Sequence, residues 1–243
     1  MKKRWQDAWM LAKADLLRFK FGTIITIVFN TYLGLCTLVL LSAILEFEHT
    51  TSNISISIAL DFVLLTLVTN LGYAFTRRAF RYWSEDSYRQ YLIKLRTMPV
   101  DMRSIIMARC LLMAVYLLIN SAVFFGIQYV VLEELRELLS PGLFMIYIFV
   151  GMVYSILFHM LYTVLEWGFS GKKYMGLICV AQAIFLTLSI LIGMTDNSLF
   201  FSVVYLIQNW PWMTFIIALV LLSQILSFGA RLLYRTLRRI DLM

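Results

Sequence analysis

Long apolar runs alternate with short charged segments along almost the whole chain. Uncharged or nearly uncharged runs cover 21–45, 54–75, 110–132, 141–165, 174–195 and 212–230. A bilayer core of about 30 Å takes roughly 20 apolar residues per helix. The pattern therefore predicts an all-α membrane protein with six transmembrane helices, at about 21–45, 54–75, 105–132, 141–166, 174–195 and 212–234. No segment shows the alternating ten-residue pattern of a transmembrane barrel. Trp210-Pro211-Trp212 divides the last apolar stretch, because proline removes a donor and disfavours helix in the residue before it. Leu199 to Asn209 is then too short to span, and it predicts an interfacial or re-entrant helix on the outer side, just before span six. Ser140-Pro141 offers an N-cap and a first helical residue for span four.

Two polar segments carry a helical period of their own. In residues 2–20, Trp5, Trp9, Ala12, Leu16 and Phe19 share one face, and Lys2, Lys3, Arg4, Lys13, Arg18 and Lys20 supply a basic complement. That is the pattern of an amphipathic helix lying in a membrane surface. In the long loop 76–104, Tyr88, Tyr91, Leu92 and Leu95 stand at i, i+3, i+4 and i+7, with Arg89, Lys94 and Arg96 elsewhere. Glu85 and Asp86 precede this helix where the macrodipole favours negative charge. Pro99 ends it, and Asp101 is placed to cap the next helix. A short amphipathic helix between two spans is suited to docking on another protein.

Composition agrees with the pattern. Hydrophobic residues make up 61% of the 243 residues and charged ones 14%, against about half apolar in a soluble domain. Six spans leave no room for a separate soluble domain. The net charge of +7 is distributed by side. Twenty of the 21 Lys and Arg residues lie in the N-terminal segment, the loop after span two with the start of span three (Arg109), the loop after span four, and the C-terminal tail. Arg136 stands alone on the other side, beside Glu133, Glu134 and Glu137. The positive-inside rule then places both termini in the cytoplasm. The same distribution gives no reason to expect nucleic acid as a partner. Met1 to Lys20 is interrupted by charge throughout and does not read as a secretory signal.

Candidate chemistry is sparse. Cys36, Cys110 and Cys179 are too far apart for a close-spaced zinc motif. His49 and His159 lie on different segments, which disfavours an intramembrane enzyme. Glu133-Glu134 resembles the start of the paired-glutamate motif of prenyl-type intramembrane proteases, but Leu138 stands where its arginine belongs. Gly171-Lys172-Lys173 is the nearest approach to a phosphate loop, and Lys173 replaces the magnesium-binding hydroxyl. No cofactor is expected on this chain. Asp61, Asn70, Asn120 and His159 are the polar residues inside spans that a substrate path would use. Asp61 could meet a cationic substrate or sit in interfacial water. His159 and Glu166 stand at i, i+7, the spacing a proton relay would use. Asn30, Gln128, Gln182 and Gln224 read as interhelical glue, as Asn70 and Asn120 equally do, and Gly34, Gly72, Gly126, Gly151 and Gly193 as close-packing positions.

The run Leu95-Arg96-Thr97-Met98-Pro99-Val100-Asp101-Met102-Arg103-Ser104-Ile105-Ile106 resembles the segment after the coupling helix in type-two ABC exporter permeases. The resemblance implies an N-terminal elbow helix over 1–20 and a six-span permease domain over 21–243. It implies that Glu85, Tyr88, Arg89, Tyr91, Leu92, Leu95, Arg96 and Pro99 form the coupling region, seated on a separate ATPase subunit that holds ATP and magnesium. It also implies a second permease chain, identical or homologous, and residence in a bacterial plasma membrane. The aromatic content of 15% favours an amphipathic or hydrophobic substrate such as a peptide, lipid or drug. A stand-alone immunity or sensor protein that binds a peptide without transport is the alternative.

Overall fold

The computed structural model describes residues 2–18, 20–47, 54–74, 82–97, 99–195 and 197–239, and the side chains of most of them. Among these residues there are eleven helices and no strand. They are α1 (Lys2–Arg18), α2 (Lys20–Phe47), α3 (Ile54–Thr69), α4 (Tyr82–Glu85), α5 (Ser87–Arg96) and α6 (Met102–Val131). They continue with α7 (Glu133–Leu138), α8 (Pro141–Gly168), α9 (Gly171–Gly193), α10 (Leu199–Asn209) and α11 (Pro211–Arg239).

Five of them, α2, α6, α8, α9 and α11, are long and apolar enough to cross a bilayer. They mark a multi-pass membrane protein. The sixth expected span is different. Apolar sequence continues to residue 75, but α3 ends at Thr69 after sixteen residues, a rise of about 24 Å. The chain then turns through Asn70–Gly72. Side chains account for that ending. Thr69 Oγ1 and Asn70 Nδ2 both donate back to the Thr66 carbonyl, at 2.6 and 2.8 Å. Asn120, on α6, donates to the carbonyls of Leu71 at 2.8 Å and Tyr73 at 3.2 Å. Carbonyls that would otherwise be orphaned at a helix end are thus satisfied from another helix.

Helix α8 is the centre of the bundle, with α11, α3, α10, α6, α5 and α9 all against it. The apolar core has two parts. One, towards α7 and α10, gathers Leu60, Leu64, Phe124, Phe125, Leu135, Tyr147 and Phe200. The other, at the opposite end, gathers Leu92, Leu95, Ile105, Met113, Met160, Trp167, Leu233 and Leu237. The exposed surfaces of α9 and α11 remain strongly apolar, with Val180, Ile184, Trp212, Ile216 and Phe228 outward, as a lipid-facing surface requires.

The expected start and stop signals fare unevenly. Pro141 is the first residue of α8, but the Ser140 side chain makes no cap hydrogen bond. Asp101 does cap α6, accepting from the Arg103 N–H. Pro211 opens α11 and separates it from α10. Rather than lying free at an interface, α10 buries Phe200, Val204 and Ile207 in the core. Helix α1 packs along α6, and the Arg4–Asp101 ion pair at 2.8 Å joins their ends. Its packed face is Ala8 and Ala12, not the tryptophan row. Trp5 and Trp9 sit about half exposed on the flank, because the two alanines let α1 approach α6 more closely than indole rings would.

Candidate functional site

Helix α5 lies across one end of the bundle, and what holds it there differs from the expectation. Leu92 and Leu95 are buried in the chain's own core with Ile105, Met160, Trp167 and Leu233. They are therefore not available to a partner protein. The sequence period located the face correctly, but the bundle itself covers it. The outward positions are Gln90, Ile93, Lys94 and Thr97, with Trp83 of α4 and Glu85 exposed beside them. Pro99 is exposed past the helix end. Tyr88, Arg89 and Arg96 belong to α5, but their side chains lie outside the described part of the structure.

The entry to α5 is also rearranged. Glu85 closes α4 instead of opening the amphipathic helix. Asp86 follows in a left-handed conformation (φ 45°) and makes no side-chain cap to α5. Its carboxylate instead accepts from the Gly171 N–H at the start of α9. Anions are stabilised at a helix N-terminus, so Asp86 ties the α4–α5 corner to α9. A Cβ on residue 171 would overlap the Tyr82 carbonyl, which is why this junction takes glycine. The Tyr82 hydroxyl completes the corner, donating to the carbonyls of Glu166 (2.6 Å) and Phe169 (2.9 Å). Gly171-Lys172-Lys173 is thus a helix start docked on α4.

Behind α5 lies a small polar cluster in a cavity of about 40 Å³. Arg109 of α6 donates to both oxygens of Glu166 on α8, at 3.3 and 2.9 Å. Glu166 is 2% exposed and Arg109 23%. The Tyr91 hydroxyl, from α5, donates to Asp15 of α1 at 2.8 Å. All four side chains line the one cavity. Glu166 is therefore the partner of Arg109, and it does not form the relay with His159 that the i, i+7 spacing offered.

One turn or two deeper, at the join of the two apolar clusters, lies a second polar group. His159 is buried on α8, with the Tyr73 ring 4.3 Å from its own. Gly72 passes so close that a Cβ there would stand 3.0 Å from His159 Nδ1. Neither imidazole nitrogen has a hydrogen-bond partner among the described residues, nor does Asn120 Oδ1 or Ser155 Oγ. Buried polar atoms are nearly always paired in a native protein; Ser104, Ser121 and Gln128 share this lack of a partner among the described residues. His159 and Asn120 are thus brought together around the end of α3. Asn70 is not, since its amide turns back to its own helix.

Asp61 has a structural place. It is fully buried, neither in water nor open to a cation. Its carboxylate accepts from Ser198 Oγ (2.8 Å), the Leu199 N–H (2.7 Å) and the Phe200 N–H (3.2 Å). Those amides belong to the first turn of α10, so Asp61 caps α10 from another helix. Of the other polar residues, Gln182 does join helices, accepting from Thr66 at 2.8 Å. Asn30 bonds within α2. Gln128 has no partner among the described residues. Cys36, Cys110 and Cys179 are free thiols, and no cluster of metal-ligating side chains occurs among the described residues.

Sequence reading missed the roles of Arg109, Asp15, Asp86 and Tyr82. In the sequence Arg109 is only one of the basic residues that set the topology. A basic residue at the fifth position of predicted span three, with a glutamate at the same-side end of predicted span four, was the available signal. Compared with known proteins, the chain matches no family model, no curated protein and no solved structure.

Proposed function

We propose that this chain is the membrane-spanning permease subunit of an ABC exporter in a bacterial plasma membrane. It couples ATP hydrolysis on a separate ATPase subunit to export of an amphipathic or hydrophobic substrate, and ATP and magnesium are held by that partner. The observation that carries the reading is the mounting of α5. Its inner face is anchored by Leu92 and Leu95, its outer face presents Gln90, Ile93 and Lys94, and Tyr91 reaches the cluster that contains Arg109 and Glu166. A push on the outer face would reach α1, α6 and α8 together, because each contributes a side chain to that cluster.

In this reading the ATPase contacts are Trp83, Ile93 and Lys94, while Leu92 and Leu95 hold the coupling helix in place. The substrate path runs past His159 and Asn120, whose unpaired polar atoms sit in the bundle's middle layer. Asp61 is not part of it. A second permease chain completes the path.

Affinity purification from the native membrane tests the proposal. Ile93→Glu should remove a copurifying ATPase while the permease stays folded. Leu92→Glu should unfold the permease itself. An ATPase that remains bound and active with Ile93→Glu would reject the outer face of α5 as its seat.

A further inference from the structure

Between α8 and α11 the surface opens into a crevice of about 470 Å³, a size typical of small-molecule sites. One wall is Leu157, Met160, Leu161 and Val164 of α8. The other is the face of α11 from Gln224 to Leu232, including Phe228, a length of about 12 Å at helical rise. Gly229 sets the depth of the groove. A Cβ there would meet the Met160 side chain at 3.2 Å, so the helices close tightly at this level and larger side chains splay apart around it.

The crevice is mostly apolar, with Gln224 and Ser227 among its lining, and charged at one end. Arg231 lines it. Arg235 and Arg238 continue the same face of α11 at i+4 and i+7. None of the three has an acidic partner among the described residues. Arg238 lies over the Tyr234 ring, at 5.7 Å. Like charges at this spacing repel one another. Favourable interaction with the helix C-terminus offsets part of that, but Arg231 stands two turns before the end. An apolar slot open to the bilayer and ending in an unpaired arginine row matches a ligand with an acyl chain and an anionic head.

We propose that this crevice binds an anionic phospholipid, with one acyl chain along Leu157, Leu161 and Phe228 and the headgroup phosphate on Arg231 and Arg235. Guanidinium recognises phosphate through paired, charge-assisted hydrogen bonds. The assignment rests on the membrane setting alone and stands whether or not an ATPase partners this chain.

The test is lipid retention. The full chain is purified in mild detergent after reconstitution with equal phosphatidylglycerol and phosphatidylcholine, and bound lipid is counted by class with mass spectrometry. Wild type should retain phosphatidylglycerol in preference. Arg231→Gln should lower that retention about tenfold, the loss expected for one charge-assisted phosphate contact. Lys173→Gln removes the same charge on the exposed start of α9 and should change nothing. Leu161→Trp, which narrows the crevice from its lipid-facing side, should lower retention of both lipids. Equal retention of the two lipids by wild type would overturn the proposal. So would undiminished retention by both Arg231→Gln and Leu161→Trp. A chain dimer that Leu161→Trp dissociates would assign the crevice to a second copy instead.

Discussion

Asp61 illustrates how a buried charge is kept at the residue scale. Its carboxylate has no exposure and three donors, two of them first-turn amides of α10. Removing the acceptor strands those amides in the core. Asp61→Ala is therefore expected to destabilise the protein by about 2–3 kcal/mol, while Asp61→Asn, which keeps one acceptor but not the charge, costs about 1 kcal/mol. Thermal unfolding in detergent measures both, and an unchanged midpoint for Asp61→Ala would exclude the capping role. The Arg109–Glu166 pair makes a different prediction. Desolvating both groups offsets much of their attraction, but stranding one is costly. Glu166→Leu alone should lose about 3 kcal/mol, and Arg109→Leu combined with it should recover more than half of that loss. A double-mutant cycle with no coupling would mean that the pair does not bind α6 to α8.

At the scale of elements, the junction of α4, α5 and α9 is held by one glycine. Gly171→Ala pushes against the Tyr82 carbonyl, a backbone atom with nowhere to move. The expected result is loss of the Asp86–Gly171 hydrogen bond and faster amide exchange across α4 and α5, with α8 unaffected. Exchange at wild-type rates in α5 would show that the junction is not its anchor. The same region shows what sequence could tell. Tyr91, Leu92 and Leu95 announced a helix and its apolar face, because period is a local property. Whether that face meets a partner or the chain's own bundle depends on Ile105, Met160, Trp167 and Leu233, which come from three other helices. The end of α3 was hidden for a similar reason. The residues through 75 stay apolar, and the side chain that takes over their carbonyls, Asn120, lies 49 residues after Leu71. Proline and aspartate signals were readable where they act on their neighbours, at Pro211 and Asp101. Asp61 acts on an amide 138 residues away, and no local pattern reports that.

For the whole molecule, α1, α5 and the end of α11 gather at one end of the bundle. Arg4 pairs with Asp101 there, and Arg103 lies 5.9 Å from the Tyr234 ring. The residues near both termini therefore share an end with the proposed ATPase seat. In the proposed function, α5 transmits force from a partner to the bundle. The decisive experiment is purification of the chain from its native membrane, followed by identification of copurifying proteins and an ATP hydrolysis assay. A stoichiometric ATPase is expected with the wild type, lost with Ile93→Glu although that variant unfolds at the wild-type temperature. A folded, intact chain that brings down no ATPase would contradict that function.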